Sequence, residues 1–312
     1  MSYRPILRTL LMTLATMACA REALYALPID EELPPEEELL EEEPIPEETP
    51  PREGEPDPEV APQEPENVPP APIDDCDETS DLLYGVDKND GGLYLFDPLS
   101  GTFEFLGIPD CGIFSGTPAS MAVARNGIAY IRYSSSTLYA IDLETLACTE
   151  THMSVASFGK FGMGYSTLHD DTWQDELFIA NRNTLAKLNT DNFQFETIGA
   201  LPSQSELTGN ARGELYGVFP LESPGQIMKL DRMTGEPVSS IVLSVMPAPT
   251  SIDTFAFATW DGNFYVFLRL YGMGESTRVY RISPTGATES VSDDTGRNIV
   301  GVGVSTCAPT GS

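Results

Sequence analysis

Glu206 and Asp253 stand at matching points of a repeated unit in this chain, each just ahead of a short apolar run. Two carboxylates held across a channel can hydrolyse a glycosidic bond. One protonates the leaving oxygen while the other acts as base or nucleophile, and their separation sets the stereochemical outcome. The same pair can instead bind a cation or sugar hydroxyls. Lys160 and Arg297 fall at corresponding points and suit an anion, with the Asn298 amide beside them and Ser120 at the equivalent place earlier in the chain. The competing reading is structural: polar side chains lining an axis that bond to each other and to water. No third acid occupies the remaining equivalents, and the two tryptophans, Trp173 and Trp260, fall in a loop and a hairpin turn. A sugar-binding aromatic platform is therefore not legible.

Other chemistry is thin. His152 and His169 read as exposed loop residues. The run Asp87-Lys88-Asn89-Asp90-Gly91-Gly92 has acids and glycines at the wrong offsets for an EF-hand, so it reads as a hairpin turn and no metal is expected. Gly101, Gly235 and Gly286 likewise serve turns, and no motif calls for a cofactor. With 48 Asp and Glu against 17 Lys and Arg, the chain has no basic stripe to neutralise phosphates, which argues against nucleic acid.

The elements that position these residues recur. A strand-turn-strand phrase appears as LYLFDPLSGTFEFLG (93–107), LYAIDLETLACTET (138–151), LAKLNTDNFQFETIG (185–199), IMKLDRMTGEPVSSIVL (227–243) and VYRISPTGATESV (279–291). The phrases start 45, 47, 42 and 52 residues apart. A four-stranded propeller blade takes about 40–50 residues, so the period points to an all-β, five-bladed β-propeller. Before each later phrase lies a further pair of apolar segments, such as 121–124 with 128–133 and 254–259 with 263–268. Turns at Arg125-Asn126-Gly127, Ala211-Arg212-Gly213 and Trp260-Asp261-Gly262 join three of these pairs. The first blade lacks its inner strand, and the Gly/Val-rich segment 299–305 is placed to supply it and close the ring. A sixth blade is the alternative, should the insertion at 161–180 hold extra strands.

The remaining 75 residues read as address and spacer. Residues 1–27 form an export signal, with basic Arg4 and Arg8 ahead of an apolar run too short to anchor in a bilayer. Thr16-Met17-Ala18-Cys19 resembles a lipobox, which makes Cys19 a lipidation candidate; Ala20 and Ala26 offer ordinary cleavage sites. Residues 28–75 carry 19 acids, 14 prolines and one Arg (Arg52), a composition that cannot offset its own ordering entropy and reads as a disordered linker or stalk. The domain is then 76–312. Setting Cys19 aside leaves Cys76, Cys111, Cys148 and Cys307, an even set that fits two disulfides in an exported chain. Ring closure brings Cys76 and Cys307 together, leaving Cys111 with Cys148, although four cysteines allow three connectivities.

The segments 162–166 (GMGYS), 206–209 (ELTG) and 295–309 (TGRNIVGVGVSTCAP) resemble an uncharacterised group of exported bacterial propellers, hypothetical proteins and lipoproteins among them; the blades are more loosely similar to YVTN or quinoprotein-type propellers. The resemblance implies an exported, disulfide-bonded propeller and brings no activity. The expectation is a monomeric surface or periplasmic binding or scaffolding module for a protein or glycan, touching a membrane only through lipid at Cys19. A rim-carboxylate glycosidase and a purely structural envelope protein are the alternatives.

Overall fold

The computed structural model describes residue 76 and residues 82–311 apart from 113–115, 136, 154–157, 169–173, 273 and 275. The segments read as export signal and acidic linker, with Cys19, His169 and Trp173, lie outside the described residues. The rest forms five four-stranded antiparallel sheets arranged as a five-bladed propeller.

Blade 1 comprises β1 (Leu83–Asp87), β2 (Leu93–Asp97), β3 (Thr102–Gly107) and, as its inner strand, β20 (Ile299–Gly303). Blade 2 runs from inner to outer through β4 (Pro118–Val123), β5 (Ile128–Tyr133), β6 (Leu138–Asp142) and β7 (Cys148–Glu150). Blade 3 holds β8 (Phe161–Thr167), β9 (Asp175–Asn181), β10 (Thr184–Leu188) and β11 (Phe195–Ala200). Blade 4 holds β12 (Glu206–Gly209), β13 (Leu215–Phe219), β14 (Gln226–Leu230) and β15 (Pro237–Val242). Blade 5 holds β16 (Ile252–Trp260), β17 (Asn263–Leu270), β18 (Arg278–Ile282) and β19 (Thr288–Ser292). The 161–180 segment contributes the β8–β9 hairpin and no sixth blade.

Period-2 alternation explains the packing, because successive side chains leave a strand on opposite faces. On β17, Phe264 and Val266 enter the core shared with blade 4, while Tyr265 and Phe267 enter the core shared with blade 1. On β9, Leu177 and Ile179 face blade 2 whereas Phe178 and Ala180 face blade 4. There are thus five interblade cores, one per blade junction, and the fifth joins blade 5 to blade 1 through Phe96, Phe267, Ile299 and Val302. Burial falls off radially. Every residue of β8 and β20 is buried, while β15 is exposed along most of its length.

Adjacent inner strands run parallel at very close range. A Cβ on Gly162 would lie 2.3 Å from the Ser205 carbonyl oxygen, and one on Gly164 would lie 2.6 Å from the Leu207 carbonyl carbon. Across the closing junction, Gly301 abuts Ser120 and Met121, and Gly303 abuts Val123. In blades 1 to 4 the turns that join the third and fourth strands share one design. An Asp or Asn accepts backbone N–H bonds, and a residue four along takes positive φ: Gly101 after Asp97 and Gly235 after Asp231. Leu146 (φ 60°) and Phe193 (φ 54°) hold the same place without being glycine. That backbone conformation is costly for a bulky residue. Their side chains pack onto the blade 1–2 and blade 2–3 cores, which offsets the cost.

Cys76 bonds Cys307, and Cys111 bonds Cys148. Two disulfides point to an oxidising compartment outside the cytoplasm. Among the described residues, no helix is long and apolar enough to cross a membrane.

The ring-closing bridge spans 231 residues and the other 37. In the chain-entropy treatment, loops of those lengths are worth about 5 and about 4 kcal/mol. Urea unfolding should therefore show Cys76→Ala/Cys307→Ala to be the more destabilised double variant, with an equal or reversed order counting against entropic closure. Gly162→Ala should lose about 2–3 kcal/mol in the same assay, because its Cβ meets backbone and not a yielding side chain.

Candidate functional site

The parallel inner strands define an axis with two unlike ends. At the end where the strands begin, called the mouth, Glu206 opens β12 and is only 7% exposed. Its Oε2 accepts a 2.7 Å hydrogen bond from Ser120 Oγ on β4. These strands flank β8, so the carboxyl reaches Ser120 by passing over Gly162, where a Cβ would sit 2.9 Å from Glu206 Cδ. Arg132, on β5 and 5% exposed, lies 5.7 Å over the Phe161 ring and donates through Nε to the Phe161 carbonyl. Burial pushes the Glu206 carboxyl up to about 8, with the Ser120 bond, the Arg132 charge and the Met163 N–H opposing it. Burial likewise pulls the Arg132 guanidinium below its ordinary value.

The other sequence candidates turn elsewhere. Asp253 sits in a bulge between Ile252 and Thr254 and pairs with Arg269 of β17. Arg297 faces outward, its guanidinium 4.0 Å over the Tyr94 ring, with Nη1 donating to the Tyr94 hydroxyl. Asn298 is buried; its N–H donates to Asp87 and its amide to Asn89, locking the β1–β2 loop onto the closing strand. Lys160 is exposed, as is His152. None of Lys160, Glu206, Asp253, Arg297 and Asn298 bonds another of the five. The mouth ring read from the repeats is five separate attachments, of which Glu206 alone reaches across to a non-adjacent inner strand.

Four buried side-chain atoms among the described residues lack a hydrogen-bond partner: Ser203 Oγ, Thr254 Oγ1, Arg269 Nε and Asn298 Oδ1. All four lie toward the mouth. Each is closed to solvent, which puts it out of a ligand's reach.

The opposite end is plugged by groups that sequence reading did not single out. Arg125, in the β4–β5 turn, donates through Nε to Asp175 and Thr306, each at 3.0 Å, and through Nη2 to Thr167. Thr167 and Thr306 in turn donate to Asp175. Arg232 donates to the Thr167 carbonyl. Thr306 belongs to the chain after β20, which crosses this end and is fixed where Asp261 N–H donates to the Pro309 carbonyl.

Beside that crossing chain, between blades 4 and 5, lies a cleft of about 490 Å³. Its walls include Asn210, Arg212, Tyr216, Asp261, Asn263 and Phe264, with Thr310 and Gly311 of the tail on one side. The elements that build it are hairpin turns. Asn210 Oδ1 accepts N–H bonds from Arg212 and Glu214, shaping the β12–β13 turn. Asp261 (φ 48°) and Gly262 (φ 69°) form the β16–β17 turn in the left-handed conformation that Asp and Gly tolerate. Glu214 is held by Lys229 at 2.9 Å and by the Asn210 amide at 2.7 Å. Burial raises its carboxyl, but the Asn210 and Lys229 bonds, with the Lys229 charge and the Tyr216 hydroxyl, outweigh burial and bring it below its usual value. Tyr216 packs edge-on against Phe264 at 4.8 Å, and burial together with the Glu214 charge pushes its hydroxyl up. The Asp261 carboxylate makes no hydrogen bond to a described residue, and Arg212 spends only Nη2, on the Gly311 carbonyl at 2.6 Å.

Among the described residues, no group of three or more His, Cys, Asp and Glu side chains is placed to share a metal ion. Comparison with protein-family models and with curated proteins gives no match. Function must therefore be argued from this geometry.

The Glu206 carboxyl supplies a pH test. Between its ordinary 4.5 and about 8 the folded protein holds a proton that the unfolded chain has released. Stability from this group is thus complete below about pH 4.5 and is lost as pH rises from there through about 8, a loss on the order of 5 kcal/mol. Glu206→Gln keeps the acceptor for Ser120 and removes the titration. The stability difference between variant and native protein should widen in the variant's favour from pH 5 to 8.5. Parallel pH curves would mean that the carboxyl is ionised in the folded state at no cost.

Proposed function

We propose that the protein is an exported, disulfide-stabilised binding or scaffolding module that takes its ligand in the cleft between blades 4 and 5, with the axis acting as a structural plug. The observation that carries this reading is where polar capacity stays accessible. Along the axis, Glu206 is spent on Ser120, and Arg125 on Asp175, Thr167 and Thr306. In the cleft, the Asp261 carboxylate and most of the Arg212 fork are unspent in a space of about 490 Å³, within the size range of small-ligand sites. The disulfides, the export-signal pattern of residues 1–27 and the resemblance to exported bacterial propellers support a surface or periplasmic location, with Cys19 as the lipid attachment point if the protein is anchored.

A hydrolase at the mouth is the rival reading, favoured by the raised Glu206 carboxyl, which is what a general acid requires. Against it weigh the burial of Glu206 and the capture of Asp253 by Arg269, which leave a substrate no reach between the two acids.

A thermal-shift screen of the oxidised protein against calcium, sugars, cell-wall oligosaccharides, organic acids and short peptides tests the reading. A ligand at 100 times its dissociation constant adds about 2.7 kcal/mol, enough to raise the melting temperature visibly. The expected result is a shift that Arg212→Ala abolishes without lowering the unliganded melting temperature. A shift undiminished in Arg212→Ala moves the site elsewhere, and a flat screen favours a structural envelope role.

A further inference from the structure

The cleft's chemistry narrows what it can take. We infer that the cleft between blades 4 and 5 binds a neutral, hydroxyl-rich ligand of the saccharide class, a short oligosaccharide laid against Tyr216. The inference rests on the proposed reading that the cleft is the binding site.

Charge argues first. Each charge in or beside the cleft has an opposite within the same group of residues: Glu214 is bonded to Lys229, and Arg212 shares the wall with Asp261. The protein as a whole is strongly acidic, at −31. A site for an anion would have to present an excess of basic groups against that background, and Arg212 with Lys229 does not exceed Glu214 with Asp261. A divalent cation would call for several convergent oxygen ligands, which Ca²⁺ takes in sets of about six to eight. The cleft offers one unspent carboxylate, with a guanidinium also lining it.

Donor and acceptor supply argues second. A sugar hydroxyl donates once and accepts up to twice, so it matches a wall on which carboxylate, amide and guanidinium alternate. Asp261 accepts, Asn263 and Arg212 donate, and the fork geometry of Arg212 reaches two vicinal hydroxyls together. An apolar ligand would leave these groups unpaired, each at a desolvation cost. An aromatic ring argues third. Tyr216 lines the cleft partly exposed and is held edge-on at 4.8 Å by the buried Phe264, which fixes its ring for contact with the C–H face of a pyranose. A peptide would bring backbone groups requiring a sheet edge or an extended track. The cleft instead is a space of about 490 Å³ bounded on one side by Thr310 and Gly311.

Calorimetric titration of the oxidised protein with cellotriose, maltotriose and the trimer of N-acetylglucosamine, beside the glucosamine and galacturonic acid trimers as charged counterparts, tests this. The expected result is that at least one neutral trimer binds, with affinity unchanged between about 50 and 500 mM salt because no net charge is exchanged. Arg212→Ala and Asp261→Asn should each weaken it at least tenfold. Both positions are on turns, and Asn tolerates the positive φ at 261, so folding is preserved and is checked by an unchanged melting temperature. Absence of binding by every neutral trimer, or preference for a charged trimer, overturns the saccharide assignment. If an organic acid or peptide then binds and both substitutions weaken it, the cleft stands as the site and only its ligand class falls. If no ligand responds to either substitution, the cleft reading falls as well.

Discussion

Everything in this domain depends on how closely five inner strands can approach a common axis. Backbone-to-backbone contact at Gly162, Gly164, Gly301 and Gly303 leaves no room for a Cβ, and the parallel strands pack through those gaps. Glycine lowers strand stability in general, since it loses more entropy on folding and brings no side chain to pack. Here the loss is offset because the approach it permits brings neighbouring blades together along their full inner halves, where the five apolar cores lie. Closure follows from the same constraint. Without β20 the ring would end in an open edge on blade 1, and the interblade core made by Ile299 and Val302 would be missing from the junction with blade 5. The chain ends are therefore part of the core architecture, and the Cys76–Cys307 bridge fastens the place where they meet.

Once the strands are that close, the axis must be filled, and polar groups fill it here. Apolar side chains are drawn into the interblade cores by the two-residue alternation, so the residues left at the strand ends are those facing along the axis. Glu206 crosses β8 only because Gly162 has no side chain to block it. At the other end Arg125 and Asp175 are partly buried as a pair with Thr167 and Thr306 supplying further bonds, the condition under which an ion pair withdrawn from solvent is tolerated. Because Thr306 lies beyond the closing strand, the plug also registers the tail. That tail then runs past the β16–β17 turn and walls one side of the cleft. The cleft is a by-product of ring closure: its wall comes from the chain left over after the last blade is completed.

The fold was legible because it depends on local periodicity. The repeated phrase, the Asn-Gly and Asp-Gly hairpins and the Gly/Val-rich closing segment each report backbone geometry that the sequence encodes directly. Ring closure suggested the Cys76–Cys307 and Cys111–Cys148 pairings among the three connectivities that four cysteines allow. The site was legible only in axial height. Aligning blades on their hairpin glycines tells which residues stand at the mouth, and Glu206, Asp253 and Asn298 do stand there. It does not tell which way a side chain turns about its strand. Arg297 turns outward because Tyr94 offers both a ring face and a hydroxyl acceptor, and the bulge at Asp253 hands that carboxylate to Arg269. The Arg125–Asp175–Thr306 plug joins residues far apart in sequence with no spacing to connect them. The turns at Leu146 and Phe193 were legible as turns, but not their positive φ, since bulky side chains stand there where blades 1 and 4 have glycine.

The division between a spent axis and an unspent cleft has a physical cause. Groups at the axis are trapped by five converging strands, so their bonds must be made within the protein or the fold would carry uncompensated buried polarity. Groups at the outer turns face solvent and need no internal partner, so selection can vary them without cost to closure. The Asn210 turn and the Asp261-Gly262 turn keep their backbone shape through one Asx bond set and one left-handed glycine, which leaves the Asp261 carboxylate and all of the Arg212 fork but the Nη2 bond to Gly311 free of structural duty. A propeller that binds through its turns can alter what it recognises while leaving Glu206, Arg125 and the glycine contacts untouched. In this chain the residues that hold the ring together and the residues best placed to meet a ligand are for that reason almost entirely separate sets.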